Sequence, residues 1–259
     1  MTSLKNFSFI VSCHNGNLPV LEVFEKYAQN YLSLDNQIQK YLICEDYYQS
    51  KSYFNHIIKN TVGKSWSKQL LDSLKKIQTK YVIYCLEDYI FYKKVDIKLF
   101  NHYLNWAFIN DVNYLRLMPK PKGFKKVDKN IYELGPYSLY KSSLFFTVWN
   151  REHLISLLEL FNDPWEFEVL GTRHVKNIDK YYTINEKFIF IHHLVAKGSW
   201  INKSLKKLNL ENNLIIQKPI MKPIKEFIWH LKKNLLSLFE LIPDNHLKYN
   251  FYYLFKSKK

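Results

Sequence analysis

Apolar and polar positions alternate between two periods along the first half of the chain. Phe7 to Cys13 is an apolar run of the length of a buried strand. From Leu18 to Leu32 the apolar positions fall at Leu21, Phe24, Tyr27, Ala28 and Tyr31, the spacing of a helix face. Gln39 to Cys44 predicts a second strand, which ends at Glu45-Asp46. Gly63 precedes a helical face of Trp66, Leu70, Leu74 and Ile77. Lys80 to Leu86 predicts a third strand, ending at Glu87-Asp88. Asp96 to Asn110 is helical, with Ile97, Phe100, Leu104 and Phe108 on one side, and Val112 to Leu117 is a fourth strand. Such alternation argues for crossover units and a parallel sheet with helices on both faces. Ligands of these sheets bind beyond the carboxyl ends of the strands. His14-Asn15, Glu45-Asp46 and Glu87-Asp88 all fall at such ends.

The second half is less regular. Pro119 to Asn130 is basic and reads as a loop. Tyr137 to Trp149 reads as strand material running into a helix from Arg151 to Phe161. Asp163 and Pro164 are the N-cap and first residue of a further helix, with Glu166 and Glu168 in its first turn. Phe188 to Val195 predicts another strand, carrying His192-His193 and closed by Lys197-Gly198-Ser199. From Lys218 onward an amphipathic pattern runs through Ile224, Phe227, Ile228, Leu231, Leu235, Leu238, Phe239 and Ile242. That stretch, to Lys259, holds nine lysines against three acids. It either lies on an acidic membrane surface or packs on the preceding domain. The boundaries are therefore a domain over 1–217 and a basic helical extension over 218–259.

Composition narrows the class. A chain of 259 residues suits one large domain or a domain with an appendage. Its apolar content of 47% and charged content of 24% are those of a folded protein. The 20 Tyr, 18 Phe and 6 Trp either line a sugar or nucleotide cleft or follow a coding bias toward Lys, Asn, Ile and Tyr. A net charge of +15 favours anionic partners. Cys13, Cys44 and Cys85 sit in or beside apolar strands without metal or disulfide spacing, and read as small core residues. The opening run is too short for an export signal, and no window of eighteen uninterrupted apolar residues occurs. A cytoplasmic protein is expected, or one peripheral on the inner face of the membrane.

Glu87-Asp88 is the strongest chemical feature. Tyr81-Val-Ile-Tyr-Cys-Leu86 is too apolar a run to end in two carboxylates for solvation alone. Carboxylates there can hold a divalent cation or the hydroxyls of a sugar or ribose. An acidic turn capping a helix is the alternative. The stretch Gly63-Lys-Ser-Trp-Ser-Lys-Gln-Leu-Leu followed by Thr79-Lys-Tyr-Val-Ile-Tyr-Cys-Leu-Glu87-Asp88-Tyr-Ile-Phe91 resembles the core of bacterial GT-A glycosyltransferases. Phe9-Ile-Val-Ser-Cys-His14-Asn15 is similar to their opening strand, and Leu42-Ile-Cys-Glu45-Asp46 to their second. The resemblance covers residues 7 to 118 and extends more weakly to 137–139 and 164–168.

It implies an α/β fold, a GT-A-like Rossmann-type mixed sheet flanked by helices, here with a helical C-terminal extension. It implies a nucleotide-sugar donor held by Ser12, His14, Asn15, Glu45, Asp46, Lys64, Trp66, Glu87, Asp88 and Tyr89. Arg116 could bind the diphosphate or an anionic acceptor, or form an ordinary ion pair. The acceptor would be a glycan or a lipid-linked molecule. The catalytic base would be an acid at a late helix start, Glu168 or Glu166, with the spacing from Trp165 favouring Glu168. A late histidine implies Asp88 and His192 as metal ligands, although a structural histidine is the other reading. The usual acidic motif is Asp-x-Asp, and here it is Glu87-Asp88-Tyr89. Use of Mg2+ or Mn2+ and a metal-independent mechanism therefore both stay open. The Gln-x-x-Arg-Trp motif is absent, which separates the chain from processive synthases and brings it nearer the transferases that decorate bacterial surface polysaccharides.

Two rival functions follow from the same residues. A nucleotidyltransferase or other nucleotide-binding enzyme would share the strand ends. Gly63-Lys64-Ser65 has the ending of a phosphate-binding loop but lacks its first glycine, and no Gly-x-Gly-x-x-Gly occurs. A non-catalytic nucleic-acid-binding protein would use the charge and the aromatics, but the basic residues are scattered and nucleic acid is not the expected partner.

Overall fold

The computed structural model describes residues 3–45, 53–120, 122–210 and 218–238, with positions 246, 247 and 250; side chains of 232–238 are excepted. In chain order the elements are β1 (Phe7–Cys13), α1 (Leu18–Tyr31), β2 (Gln39–Cys44), β3 (His56–Lys59), α2 (Trp66–Leu74), β4 (Tyr81–Leu86), β5 (Tyr89–Phe91) and α3 (Ile97–Ile109). There follow β6 (Tyr114–Arg116), β7 (Lys125–Asp128), β8 (Ile131–Glu133), β9 (Thr147–Asn150), α4 (Arg151–Leu158) and α5 (Pro164–His174). The remainder is β10 (Tyr181–Ile184), β11 (Ile191–His193), β12 (Val195–Ala196), β13 (Ser199–Trp200), α6 (Asn202–Lys207) and α7 (Pro223–Leu238). One nine-stranded sheet has the order β3-β2-β1-β4-β9-β6-β10-β8-β7.

The fold is α/β, a mixed sheet flanked by helices, as expected. Along β1 and β4, alternate side chains feed two cores. Phe9, Val11, Ile83 and Cys85 meet Leu21 and Phe24 of α1 and Phe100 and Leu104 of α3. Ile10, Val82 and Tyr84 meet Leu70 and Leu74 of α2, Leu154 and Leu157 of α4, and Phe167 of α5. Strands buried on both faces read as continuous apolar runs, which is why β1 and β4 fall where the pattern predicts; in β2 only Leu42 to Cys44 are buried. The predicted caps also form. The Asp163 carboxylate accepts the N–H groups of Trp165 and Glu166 at 2.8 and 2.9 Å, and Asp96 accepts that of Leu99 at 3.0 Å.

Two features of the register place the site. β3, β2, β1 and β4 are parallel, with Cys13 beside Cys44 and Ser12 beside Leu86, so their carboxyl ends share one edge. β9 runs antiparallel between β4 and β6, with Thr147 beside Tyr84 and Arg116. Its start therefore lies at that same edge, and the segment 137–146 arrives there as well.

Several expected boundaries change. The predicted loop 119–130 contains β7, which pairs with β8 as an antiparallel edge hairpin. All four residues of β7 are exposed, so no apolar period marks it. Of 137–149 only Thr147 onward is strand, because Tyr140 and Phe146 take positive φ values of 52° and 44°. The predicted strand over 188–195 is reduced to β11, with β12 beginning at Val195. β3 and β10 were not expected at all; β3 shows one buried residue in four.

The hairpin carries a stability prediction. A Cβ on Gly123 would collide with the Cβ of Tyr132 on β8. Gly123→Ala is expected to cost about 1–3 kcal/mol, as overpacking does. Urea unfolding measures it, and an unchanged midpoint would show that the hairpin yields freely.

Candidate active site

The shared edge gathers three strand ends. After β1 the chain makes a short turn in which the Gly16 N–H donates to His14 Nδ1 at 3.1 Å. The Asn15 N–H donates to Glu45 Oε2 at 3.3 Å, and Gln69 Nε2 of α2 donates to Glu45 Oε1 at 2.7 Å. Glu45 thus ties the end of β1 to the second turn of α2. Asn15 Oδ1 is buried without a hydrogen-bond partner among the described residues. Ser12 Oγ bonds to the Tyr84 hydroxyl beneath this turn. Asp46 lies outside the described residues.

Glu87 and Asp88 form the turn between β4 and β5. The side chain of Asn17 donates to Glu87 Oε1. Burial pushes the Glu87 carboxyl up to about 7, against the Asn17 bond and the Lys218 charge, which hold it down. Asp88 is also raised well above its ordinary value, by burial first and the neighbouring Glu87 charge second. For these two adjacent acids the cost of burying the charge exceeds what the neighbouring groups offset. Lys218 is the cation nearby: its Nζ lies 3.9 Å from the Cβ position of Gly16, and its charge lowers both His14 and Glu87. For His14 partial burial is the larger cause.

β5 pairs with β11 so that His193 stands opposite Tyr89 and His192 opposite Ile90. Strand alternation then separates the two histidines. His193 Nδ1 is 3.9 Å from Asp88 Oδ2, and its ring lies against Tyr89 and Phe145. His192 instead stacks on Tyr92 at 4.1 Å. The imidazole within ion-pair reach of Asp88 is thus that of His193, while His192 lies against Tyr92. Among the described residues no three His, Cys, Asp or Glu side chains converge. Asp88 and His193 would offer a divalent cation a carboxylate and an imidazole, which is less than a full ligand set.

The loop before β9 connects this turn to α5. Phe145 packs edge-on against Tyr89 at 4.6 Å. Glu168 Oε1 accepts from Ser143 Oγ at 3.1 Å and from the Leu144 N–H at 3.0 Å. The Glu168 charge also acts on Tyr89 and raises its hydroxyl, after burial and Asp88. Glu166 turns back and accepts the N–H of Asn162, the residue before the N-cap Asp163, at 3.1 Å. Of the two candidate bases, Glu168 is the one brought beside the Asp88 turn.

Arg116 is 1% exposed. Its Nε donates to the Tyr114 hydroxyl at 3.1 Å and Nη2 to the Tyr140 carbonyl, while Nη1 has no partner among the described residues. It is not a surface ion pair. Trp66 opens α2 with its ring edge toward Phe167 at 5.8 Å. Lys64 is held at 2.6 Å by Asp72 in an exposed pair. Pattern reading missed Asn17, Lys218, His193 and Gln69. Only His193 carried a signal, as the other half of a noted pair.

No protein-family profile matches the chain, and no curated protein matches it. Solved structures do. A mannosyltransferase from Pyrobaculum calidifontis in complex with GDP-Man and Mn2+ aligns with a TM-score of 0.48 at 11% identity, over 74% of this chain and 58% of its own. S. aureus TarS in complex with UDP-GlcNAc aligns at 0.44 and 13% identity, over 71% and 57%. A CMP:2-keto-3-deoxy-manno-octonic acid synthetase complexed with CTP aligns at 0.47 and 12% identity, over 78% and 96%. The chain thus spans less than two thirds of the two transferase chains.

Proposed function

We propose that the chain is a glycosyltransferase that moves a sugar from a nucleotide-sugar donor to a glycan or lipid-linked acceptor. Bacterial surface polysaccharide synthesis is the setting in this reading. One observation carries it: Asn15, Glu45, Glu87 and Asp88 meet at the carboxyl edge of a parallel β2-β1-β4 core, with two of the carboxyls destabilised as anions.

In this reading the nucleoside lies over the β1 and β2 ends, where Asn15 Oδ1 offers an unused acceptor. Lys218 faces the diphosphate and stabilises the charge that grows on it as the glycosidic bond breaks. A bound Mn2+ would supply the same neutralisation from Asp88 and His193. Both hydrogen bonds to Glu168 reach Oε1, which leaves Oε2 to take the proton of the acceptor hydroxyl as it attacks. Phe145 and Tyr89 wall the space between.

Calorimetric titration with nucleoside diphosphates and nucleotide sugars, with and without Mn2+, tests the reading. Saturable binding to the wild type is expected, and absence of binding by every common nucleotide would end the proposal. Lys218→Ala is expected to weaken nucleoside diphosphate binding about tenfold, the loss of one charged hydrogen bond. A nucleoside binding equally to both proteins is the internal control. Release of a nucleoside diphosphate identifies glycosyl transfer, whereas release of pyrophosphate would identify a nucleotidyltransferase.

A further inference from the structure

α7 sits on the body with its polarity reversed. A helix that packs on a domain normally buries its apolar stripe and exposes its charges. Here the most buried side chain of the helix, among those described, is an acid, with Trp229 and His230 half-buried beside it. Glu226 is 8% exposed, and its carboxylate accepts the N–H groups of Asn202 and Lys203 at 3.2 and 2.9 Å. These open α6, so Glu226 caps that helix from outside. The apolar stripe points away from the body. Ile224 is 75% exposed, Phe227 68%, Ile228 45% and Leu231 46%. At 100° per residue these four span one continuous arc opposite Glu226. The same spacing continues in the sequence to Leu235 and Leu238.

The placement is fixed rather than a loose end. Met221 is buried, its N–H donates to the Trp200 carbonyl at 2.9 Å, and the Trp200 N–H donates to the Pro219 carbonyl at 2.9 Å. The helix therefore starts five residues after Lys218, with a buried anchor between them. Lys225 is exposed at one border of the apolar arc, and Lys222 is exposed just before the first turn of the helix. No helix among the described residues is long and apolar enough to cross a membrane.

We propose that the outward face of α7 is a docking surface for an anionic lipid bilayer. Ile224, Phe227, Ile228 and Leu231 enter the boundary between headgroups and acyl chains, and Lys222 and Lys225 meet the phosphates at the rim. An apolar arc with Lys225 at its border and Lys222 at its N-terminal end, on a chain of charge +15, matches an acidic interface better than a neutral one. A protein partner of matching chemistry would need an acidic rim around its own apolar patch, whereas an anionic bilayer presents both without further assumption. The helix would lie in the plane of the interface, and the Glu87-Asp88 edge would be held at a set height above it through Lys218. The proposal stands whether or not the site transfers sugar.

Sedimentation of the full-length chain with vesicles tests it. Vesicles of equal parts phosphatidylglycerol and phosphatidylcholine are compared with pure phosphatidylcholine. Binding to the anionic vesicles is expected, falling as salt is raised, with at least about tenfold weaker partition onto the neutral ones. The double variant Phe227→Glu, Ile228→Glu is expected to lose about tenfold or more of the partition while keeping the circular dichroism and melting point of the wild type, since both sites are exposed. Lys222→Glu with Lys225→Glu should remove the preference for anionic lipid. Failure to bind either vesicle overturns the proposal. So does binding that the helix variants leave unchanged, which would assign it to general charge. A dimer in solution that the same double variant dissociates would also overturn it, by giving the face to a second copy.

Discussion

If the proposed glycosyl transfer is the reaction, Asp88→Asn is expected to lower it about 100- to 1000-fold, the size of effect seen when one preorganised electrostatic group is removed at a reacting centre. The substitution keeps the shape and removes the charge that would face a diphosphate-bound cation or a sugar hydroxyl. Its backbone role should survive, because the Asp88 carbonyl accepts the Leu194 N–H at 2.9 Å whatever the side chain. Melting temperature should therefore not fall. A steady-state assay of nucleoside diphosphate release, with circular dichroism as the control for folding, measures both. Activity within threefold of wild type would remove Asp88 from the chemistry.

Glu87→Gln is expected to stabilise the cation-free protein at pH 8 by about 3 kcal/mol, from a shift of 4.5 to about 7 at roughly 1.4 kcal/mol per pH unit. The sign follows from where the protons sit. Below pH 4.5 the group is protonated in both the folded and unfolded states, and it contributes no difference. Between 4.5 and 7 the unfolded chain releases the proton while the folded chain keeps it, so wild-type stability falls as pH rises. Above 7 the loss is complete. The glutamine retains an oxygen for the Asn17 amide. Denaturant titrations of both proteins in chelator, at pH 4.5 and at pH 8, check the claim: the gap between them should close at the lower pH. A gap that does not depend on pH would mean that Glu87 is ionised and compensated in the folded state.

The sheet core was legible because it is buried on both faces. Phe7 to Cys13 and Tyr81 to Leu86 have few polar positions, so their limits and their terminal acids stand out. The α5 start was legible because Asp163-Pro164 combines a side-chain cap with a residue that needs no N–H donor. What was lost depended on partners distant in sequence. Choosing His193 over His192 requires the pairing of β11 with β5, about a hundred residues earlier in the chain. Tyr140 and Phe146 adopt positive φ without a glycine or asparagine to announce it. Lys218 reaches the β1 turn through the Trp200 anchor, and nothing in its local sequence sets it apart from other lysines. The burial of Arg116 was not legible, because a strand as short as Tyr114–Arg116 does not reveal that its guanidinium donates to the Tyr140 carbonyl.

The antiparallel β9 has a kinetic meaning as well. β4 and β6 do not pair with each other; β9 lies between them and bonds to both. A nascent chain that has emerged only as far as Leu117 holds β1 to β4 and β6 without the strand that joins them. The exposed margin of β4 is then an open template for any extended segment nearby. Closure waits for Asn150, and the turn at Asp88 acquires its Phe145 wall only at that moment. The protein is thus vulnerable to mispairing during synthesis over a window of roughly thirty residues, a few seconds at ordinary elongation rates.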